Sequence, residues 1–257
     1  NEQVIQLNRL GMDSARIYAP GQWNAPLIEF STGDASNPHD AQICEGSVFI
    51  SLYGKDYIGV FDPETGASSG EVDLSEWSDA DGLPEASSVV ELDGTILVAL
   101  QRLEEWVALD GAVVQIDCAS QEVTQAWTVG PNPTLYAIPD DSGRVLVRTG
   151  VWWEADGAIQ VLDAESGTLE EPVVSETELG ADTWTVAVTP GGRVVYSSYD
   201  FEGDGHQALH CMNLDGSESI QAGTWPNYLN SSVVVSDSRV LVSAHDPWSG
   251  EEAPIGV

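Results

Sequence analysis

Aromatic residues stand beside carboxylates at four separated places in this sequence: Glu104-Glu105-Trp106, Val151-Trp152-Trp153-Glu154, Tyr199 with Asp200 to Gly205, and His245-Asp246-Pro247-Trp248. An aromatic face stacks on an apolar or sugar-like ligand while a carboxylate accepts its hydrogen bonds, and the same pairing anchors a protein partner. Glu105, Trp106, Trp152, Trp153, Tyr199, His245 and Trp248 are therefore candidate ligand-binding residues. The competing reading is that the rings fold down and seal the loops. Trp152 and Trp153 are neighbours, so an extended backbone sends them to opposite sides; one packs inward and the other stays exposed.

Asp200, Glu202 and Asp204 place oxygen ligands at alternate positions ahead of Gly205. A hard cation such as calcium wants that arrangement. No bidentate Glu follows at the expected distance, so a solvated acidic loop is the alternative. His39-Asp40 and His245-Asp246 are the His-Asp pairs of the chain. A histidine paired with a carboxylate binds metal or serves as a general base, and His39 and Asp40 join the ligand-binding candidates.

Several chemistries are poorly supported. No G-x-S-x-G elbow and no phosphate-cradling Gly loop with Lys is present, and the single Lys, Lys55, leaves little room for Schiff-base chemistry. With 42 acidic against 8 basic side chains and a net charge of −34, the chain is a poor partner for nucleic acid or an anionic membrane. The acids are spread along the whole chain, which fits solubility better than a dedicated acidic tail. No apolar run is long enough for a membrane helix. Cys44, Cys118 and Cys211 lack CxxC pairing, which leaves buried thiols or one disulfide among them as open alternatives.

The elements that position these residues follow from a repeat. Matching β-branched runs begin at Gln3, Ser47, Thr95, Arg144, Arg193 and Arg239, at intervals of 44, 48, 49, 49 and 46 residues. A period of that length with about four short strands per unit is the signature of propeller blades. Naming the strands A to D in chain order, these runs are strands B. Strand A is expected at Asp40–Cys44, Ser87–Leu92, Leu135–Ile138, Trp184–Val188 and Ser231–Val235. Strand C is expected at Ala15–Ala19, Tyr57–Phe61, Ala112–Asp117, Ala158–Asp163 and Ala208–Asn213. Tight hairpins join A to B, as at Glu45-Gly46 and Asp93-Gly94. Arg144, Arg193 and Arg239 share one register and read as surface ion-pair partners of nearby acids.

The expected fold is all-β, a single propeller domain over residues 1–257 with six blades represented and six or seven in the complete ring. The first unit lacks strand A and the last stops inside strand C, so the chain is expected to be incomplete at its C-terminus. In this plan the aromatic–acid clusters occupy B-to-C links, which gather with the D-to-A links on the channel face.

The run Val48-Phe49-Ile50-Ser51-Leu52-Tyr53-Gly54-Lys55-Asp56-Tyr57-Ile58-Gly59-Val60-Phe61-Asp62-Pro63-Glu64-Thr65-Gly66 resembles the YVTN-type repeat of bacterial surface-layer and YncE-like propellers. Asn37-Pro38-His39-Asp40 resembles the loop that enters a blade in that family. The resemblance implies a secreted, periplasmic or surface-attached binding protein and transfers no catalytic residues. The expected function is thus a non-enzymatic, extracytoplasmic binding or interaction module that takes a protein, small-molecule or carbohydrate ligand. The alternative is a calcium-dependent, lactonase-like hydrolase, for which Glu85, Asn132, Asp182 and Asn227 lie in or near successive D-to-A links. A quinone-dependent dehydrogenase would need a regular Trp docking repeat, which is missing.

Overall fold

The computed structural model describes residues 3–139, 143–200, 207–225, 233–236 and 239–242. Their contacts divide the chain into two compact units, Asn1–Leu135 and Tyr136–Val257.

In the first unit three antiparallel sheets follow one another. The first has three strands, Val4–Asn8, Ser14–Tyr18 and Ile28–Ser31, and so opens on a strand B as the repeat implies. The second is Pro38–Cys44, Ser47–Leu52, Tyr57–Phe61 and Ser68–Asp73. The third is Ala86–Leu92, Thr95–Leu100, Asp110–Asp117 and Glu122–Pro131. In both four-stranded sheets the spatial order equals the chain order, which is the blade topology the spacing predicts.

Strand Ser47–Leu52 shows why the sequence reads as an unbroken apolar run. Side chains alternate across a strand, so Val48, Ile50 and Leu52 pack with Ala15 and Ile17 of the first sheet. Phe49 points the other way, into a cluster with Val89, Ile96 and Val98 of the third. With both faces covered, the buried run 48–52 is apolar except at Ser51, whose hydroxyl accepts from Asp40 N at 2.9 Å and bonds the carbonyl of Ser87. The outermost strand, Ser68–Asp73, buries one residue, Val72, and is otherwise polar or small.

Local chemistry supplies the turns. Glu45-Gly46 and Asp93-Gly94 both take positive φ at the two central residues, as a two-residue hairpin requires. At the end of strand C the Asp62 side chain caps the next turn, its Oδ1 accepting from Glu64 N at 2.9 Å and Thr65 N at 2.7 Å. Asp117 does the same for Ser120 N at 2.7 Å. These bonds favour the ionised acids and hold both carboxyls below their ordinary range. A disulfide between Cys44 and Cys118 joins the second sheet to the end of a strand in the third, across 74 residues of chain. Of the two cysteine alternatives, these residues take the disulfide; Cys211 remains a thiol.

The second unit repeats the plan with variations. Thr134–Ala137 enters a sheet with Arg144–Thr149 and Ala158–Asp163, whose outer edge is split into Thr168–Leu169 and Val174–Ser175. A short helix, Glu176–Leu179, follows, capped by Ser175 and ended by left-handed Gly180; the repeat gave no sign of it. The next sheet is Asp182–Val188, Arg193–Tyr199, Gln207–Asn213 and Ile220–Trp225. Val233–Ser236 and Arg239–Val242 form a further pair. Leu146, Ile159, Val161 and Val174 pack against Val186, Val188, Val194 and Tyr196. Arg193 makes the surface ion pair expected of it, 3.2 Å from Glu218.

Buried charge is satisfied locally in this unit. Glu176 is inaccessible to solvent, and its Oε1 accepts from Thr183 N at 2.7 Å while Oε2 accepts from Gly157 N at 2.8 Å. Burial still raises its carboxyl above the ordinary value, since those bonds offset only part of the lost hydration.

Candidate functional site

The link from strand B to strand C of the third sheet is a small hairpin, Leu103–Glu104 paired with Val107–Ala108. Its two turn residues are Glu105 and Trp106, at φ 50° and 72°. Asn and Gly normally fill such a turn, because a Cβ crowds the left-handed backbone. Trp106 is 90% exposed, so core packing does not explain a bulky ring there.

Opposite the hairpin runs the D-to-A link, Asp79-Ala80-Asp81-Gly82-Leu83-Pro84-Glu85. Asp79 Oδ1 accepts from Asp81 N at 3.0 Å, and Asp81 Oδ1 accepts from Leu83 N at 2.9 Å, which curls the link into a compact turn. Glu85 is 4% exposed and sits at φ 48°. Its Oε2 accepts from Leu103 N at 3.0 Å, tying link to hairpin. Burial, with the nearby charges of Asp79 and Asp81, pushes the Glu85 carboxyl up to about 7, against the opposing pull of the Leu103 N–H and the Arg102 guanidinium.

Hairpin and link enclose a cavity of about 330 Å³, walled by Tyr53, Asp81, Leu83, Glu85, Leu103 and Trp106. Asn37, Gly54 and Glu105 complete it. Asn37, Glu85, Glu105 and Trp106 all adopt positive φ, a conformation that crowds the Cβ of Glu and Trp more than Asn, so part of the cavity wall is built on strained backbone. Tyr53 is fixed from two sides. Its hydroxyl donates to Gln101 Oε1 at 2.8 Å, and its ring stacks on His39 at a centroid distance of 4.2 Å. Burial and the charge of Glu85 push the Tyr53 phenol up to about 12.

The predicted site residues fall into different places. Glu105 and Trp106 line this cavity. His39 and Asp40 line a second one of about 230 Å³ with Ser87, Ser88, Gln101 and Thr134. Burial and the adjoining Arg9 guanidinium lower the His39 imidazole to about 4, so it is neutral at physiological pH. Asp40 is occupied structurally: Oδ2 accepts from Val89 N in the next sheet at 2.8 Å, and Oδ1 from Ala41 N at 2.8 Å. Burial raises its carboxyl despite those bonds.

In the second unit, Trp152 and Trp153 do not split into one buried and one exposed ring. They are 49% and 63% exposed. The segment is a turn, not an extended strand, so the two rings meet edge-to-face at 5.8 Å, and Trp152 leans on Trp184 at 4.6 Å. Asp182 sets this loop, its Oδ2 accepting from Trp153 N at 2.6 Å and Oδ1 from Ala155 N at 3.0 Å. Tyr199 ends its strand in register with Asp182, and Asp200 follows it, half-buried. Glu202, Asp204, Asn227, His245 and Trp248 lie outside the described residues.

Among the described residues the acidic cluster able to hold a metal is Asp79, Asp81 and Glu85, whose ligand oxygens lie within 4.8 Å of one another. Sequence reasoning named Glu85 and passed over the two aspartates. The signal was the alternate spacing of Asp79 and Asp81 before Gly82, the same pattern read at Asp200 to Gly205.

A scan against protein-family models gives no match, and a search of curated proteins gives none either. Solved structures do resemble this chain. One is dihydro-heme d1 dehydrogenase NirN in complex with DHE, at 17% identity and TM-score 0.56 over 83% of this chain. The Dos1 propeller matches at 12% identity and TM-score 0.56 over 85%. A functionally unknown protein from Desulfotomaculum acetoxidans matches at 11% identity and TM-score 0.65 over 98%. The chain spans 44% of the first of these, 57% of the second and 78% of the third. Likeness at such identities speaks to fold: the chain is a β-propeller of four-stranded antiparallel blades.

Proposed function

We propose that this protein is a non-enzymatic binding module that seats its ligand in the cavity between the Glu105–Trp106 hairpin and the Asp79–Glu85 link. The observation that carries the reading is the cavity itself. A bulky, fully presented Trp sits on a turn that disfavours it and shares with a buried carboxylate a volume suited to a small ligand or a protruding side chain. The Trp152, Trp153 and Trp184 cluster supports a second contact surface for a protein or carbohydrate, since the rings of Trp152 and Trp153 are broad and exposed and Trp152 rests on the half-buried Trp184. The disulfide supports an oxidising, extracytoplasmic location, in keeping with the resemblance to YVTN-type and YncE-like propellers.

The test is a ligand screen by NMR that reads the amide signals of Leu103 and Trp106, run beside turnover assays on lactones and esters. Hits that perturb those amides without turnover support binding. Lactone hydrolysis by the wild type that is lost in Glu85→Gln would overturn it in favour of the second reading, a calcium-dependent hydrolase. That reading is favoured by the close oxygens of Asp79, Asp81 and Glu85.

A further inference from the structure

We infer that the ligand seated in this cavity is an organic cation, the ammonium or guanidinium end of a basic side chain or of a free amine. The inference rests on the cavity's being the ligand seat. Three carboxylates line it, Asp81, Glu85 and Glu105, and a fourth, Asp79, has a carboxylate oxygen within 4.8 Å of those of Asp81 and Glu85. One of these oxygens, Asp79 Oδ2, is buried with no hydrogen-bond partner, while the buried Glu85 carboxyl has Leu103 N on Oε2. An anionic oxygen withdrawn from water is costly until a donor meets it, and ammonium and guanidinium groups are donors throughout.

The nearby protein cation is Arg102, which offsets part of the charge on Glu85; its Nη1 is committed to Asp110 O at 3.0 Å and its Nε is buried without a partner, so it neutralises the carboxylates only in part. The Tyr53 hydroxyl is spent on Gln101. The remaining walls are Tyr53 and Trp106 with Leu83, Leu103, Asn37 and Gly54; the alkyl groups suit a cation's stem, and aromatic rings attract its head through their quadrupole. A volume of about 330 Å³ accommodates such a group, whereas a bare metal ion would leave most of it empty. The net charge of −34 draws cations toward every face and repels anionic ligands.

Matched fragments test the inference on the full chain by calorimetry: butylguanidinium against butylurea, and butylammonium against butanol, with calcium chloride alone and methyl glucoside alongside. Each cation is expected to bind about tenfold or more tightly than its neutral twin. Trp106→Ala, at an exposed position that cannot unfold the core, and Glu85→Gln are each expected to weaken the cations about tenfold. An arginine-containing peptide that binds at least as tightly as butylguanidinium assigns the cation to a protein partner. A weaker peptide assigns it to a free amine, and either result supports the class. Neutral twins or methyl glucoside binding as well as the cations, with loss in Trp106→Ala, overturn the cation and leave the seat standing. Calcium binding lost in Glu85→Gln and indifferent to Trp106→Ala overturns it in favour of a metal. No binding by any probe overturns both seat and cation.

Discussion

Glu85 Oε2 accepts the backbone N–H of Leu103 at 3.0 Å, so a buried carboxylate in one loop fixes the hairpin that presents Trp106 from another. That bond makes the cavity one structural piece, and it carries a titratable group into the binding wall.

Stability should fall as pH rises through the Glu85 transition. The carboxyl titrates near 7 in the folded protein against an ordinary value of 4.5. Between those values the folded state keeps a proton the unfolded state has lost, so the stabilisation present below the lower value disappears as pH passes the higher. Glu85→Gln keeps an oxygen for Leu103 N and removes the titration. At pH 8 the variant should be more stable than wild type by on the order of 1 kcal/mol, with the gap closing by pH 5, as read from urea unfolding across pH. A constant offset at both pH values would contradict the account.

Trp106→Gly should separate stability from binding. The residue sits at φ 72° and is 90% exposed, so glycine relieves the left-handed backbone at no packing cost. The expected change in unfolding free energy is between zero and a gain of about 1 kcal/mol, because glycine also loosens the unfolded chain. Ligand affinity should drop all the same, since the ring is gone.

Breaking the Cys44–Cys118 link should cost about 2–5 kcal/mol, because 74 residues of chain regain freedom in the unfolded state. Cys44→Ala with Cys118→Ala, compared with the oxidised wild type by thermal melting, should show it. Addition of a reductant should shift the wild type toward the double variant and leave the variant unchanged.

Gly54→Ala should disturb the cavity from its floor. A Cβ at Gly54 would lie 2.4 Å from the Ala35 carbonyl oxygen, a backbone atom that cannot swing aside. A loss of about 1–3 kcal/mol is expected, with displaced amide signals at Ala35 and Ser36. Wild-type stability in this variant would mean that the 35–37 loop yields freely.

Strand positions were open to sequence reading because they rest on local rules. Ser47, Thr95, Arg144 and Arg193 each begin a strand at the expected residue, since a short β-branched apolar run bounded by turn formers is a local pattern. The helix Glu176–Leu179 was missed because it interrupts the repeat where a link is long enough to fold on its own. The tryptophan pair was misjudged because alternation holds for strands, and Asp182 bends that segment into a turn from 27 to 29 residues away.

The aromatic–acid clusters were visible as composition at Glu105, Trp106, Trp152 and Trp153, and that much the sequence determined by itself: which side chains were unusual, and that they lay in links between strands. Only the tertiary structure decided that Trp106 shares a cavity with Asp81 and Glu85, that Asp40 is spent on Val89 N, and that Cys44 meets Cys118. The reason is physical. A strand's burial pattern is written along its own length, whereas a site assembled from two links depends on how far apart packed sheets hold their loops, and no local pattern encodes that distance.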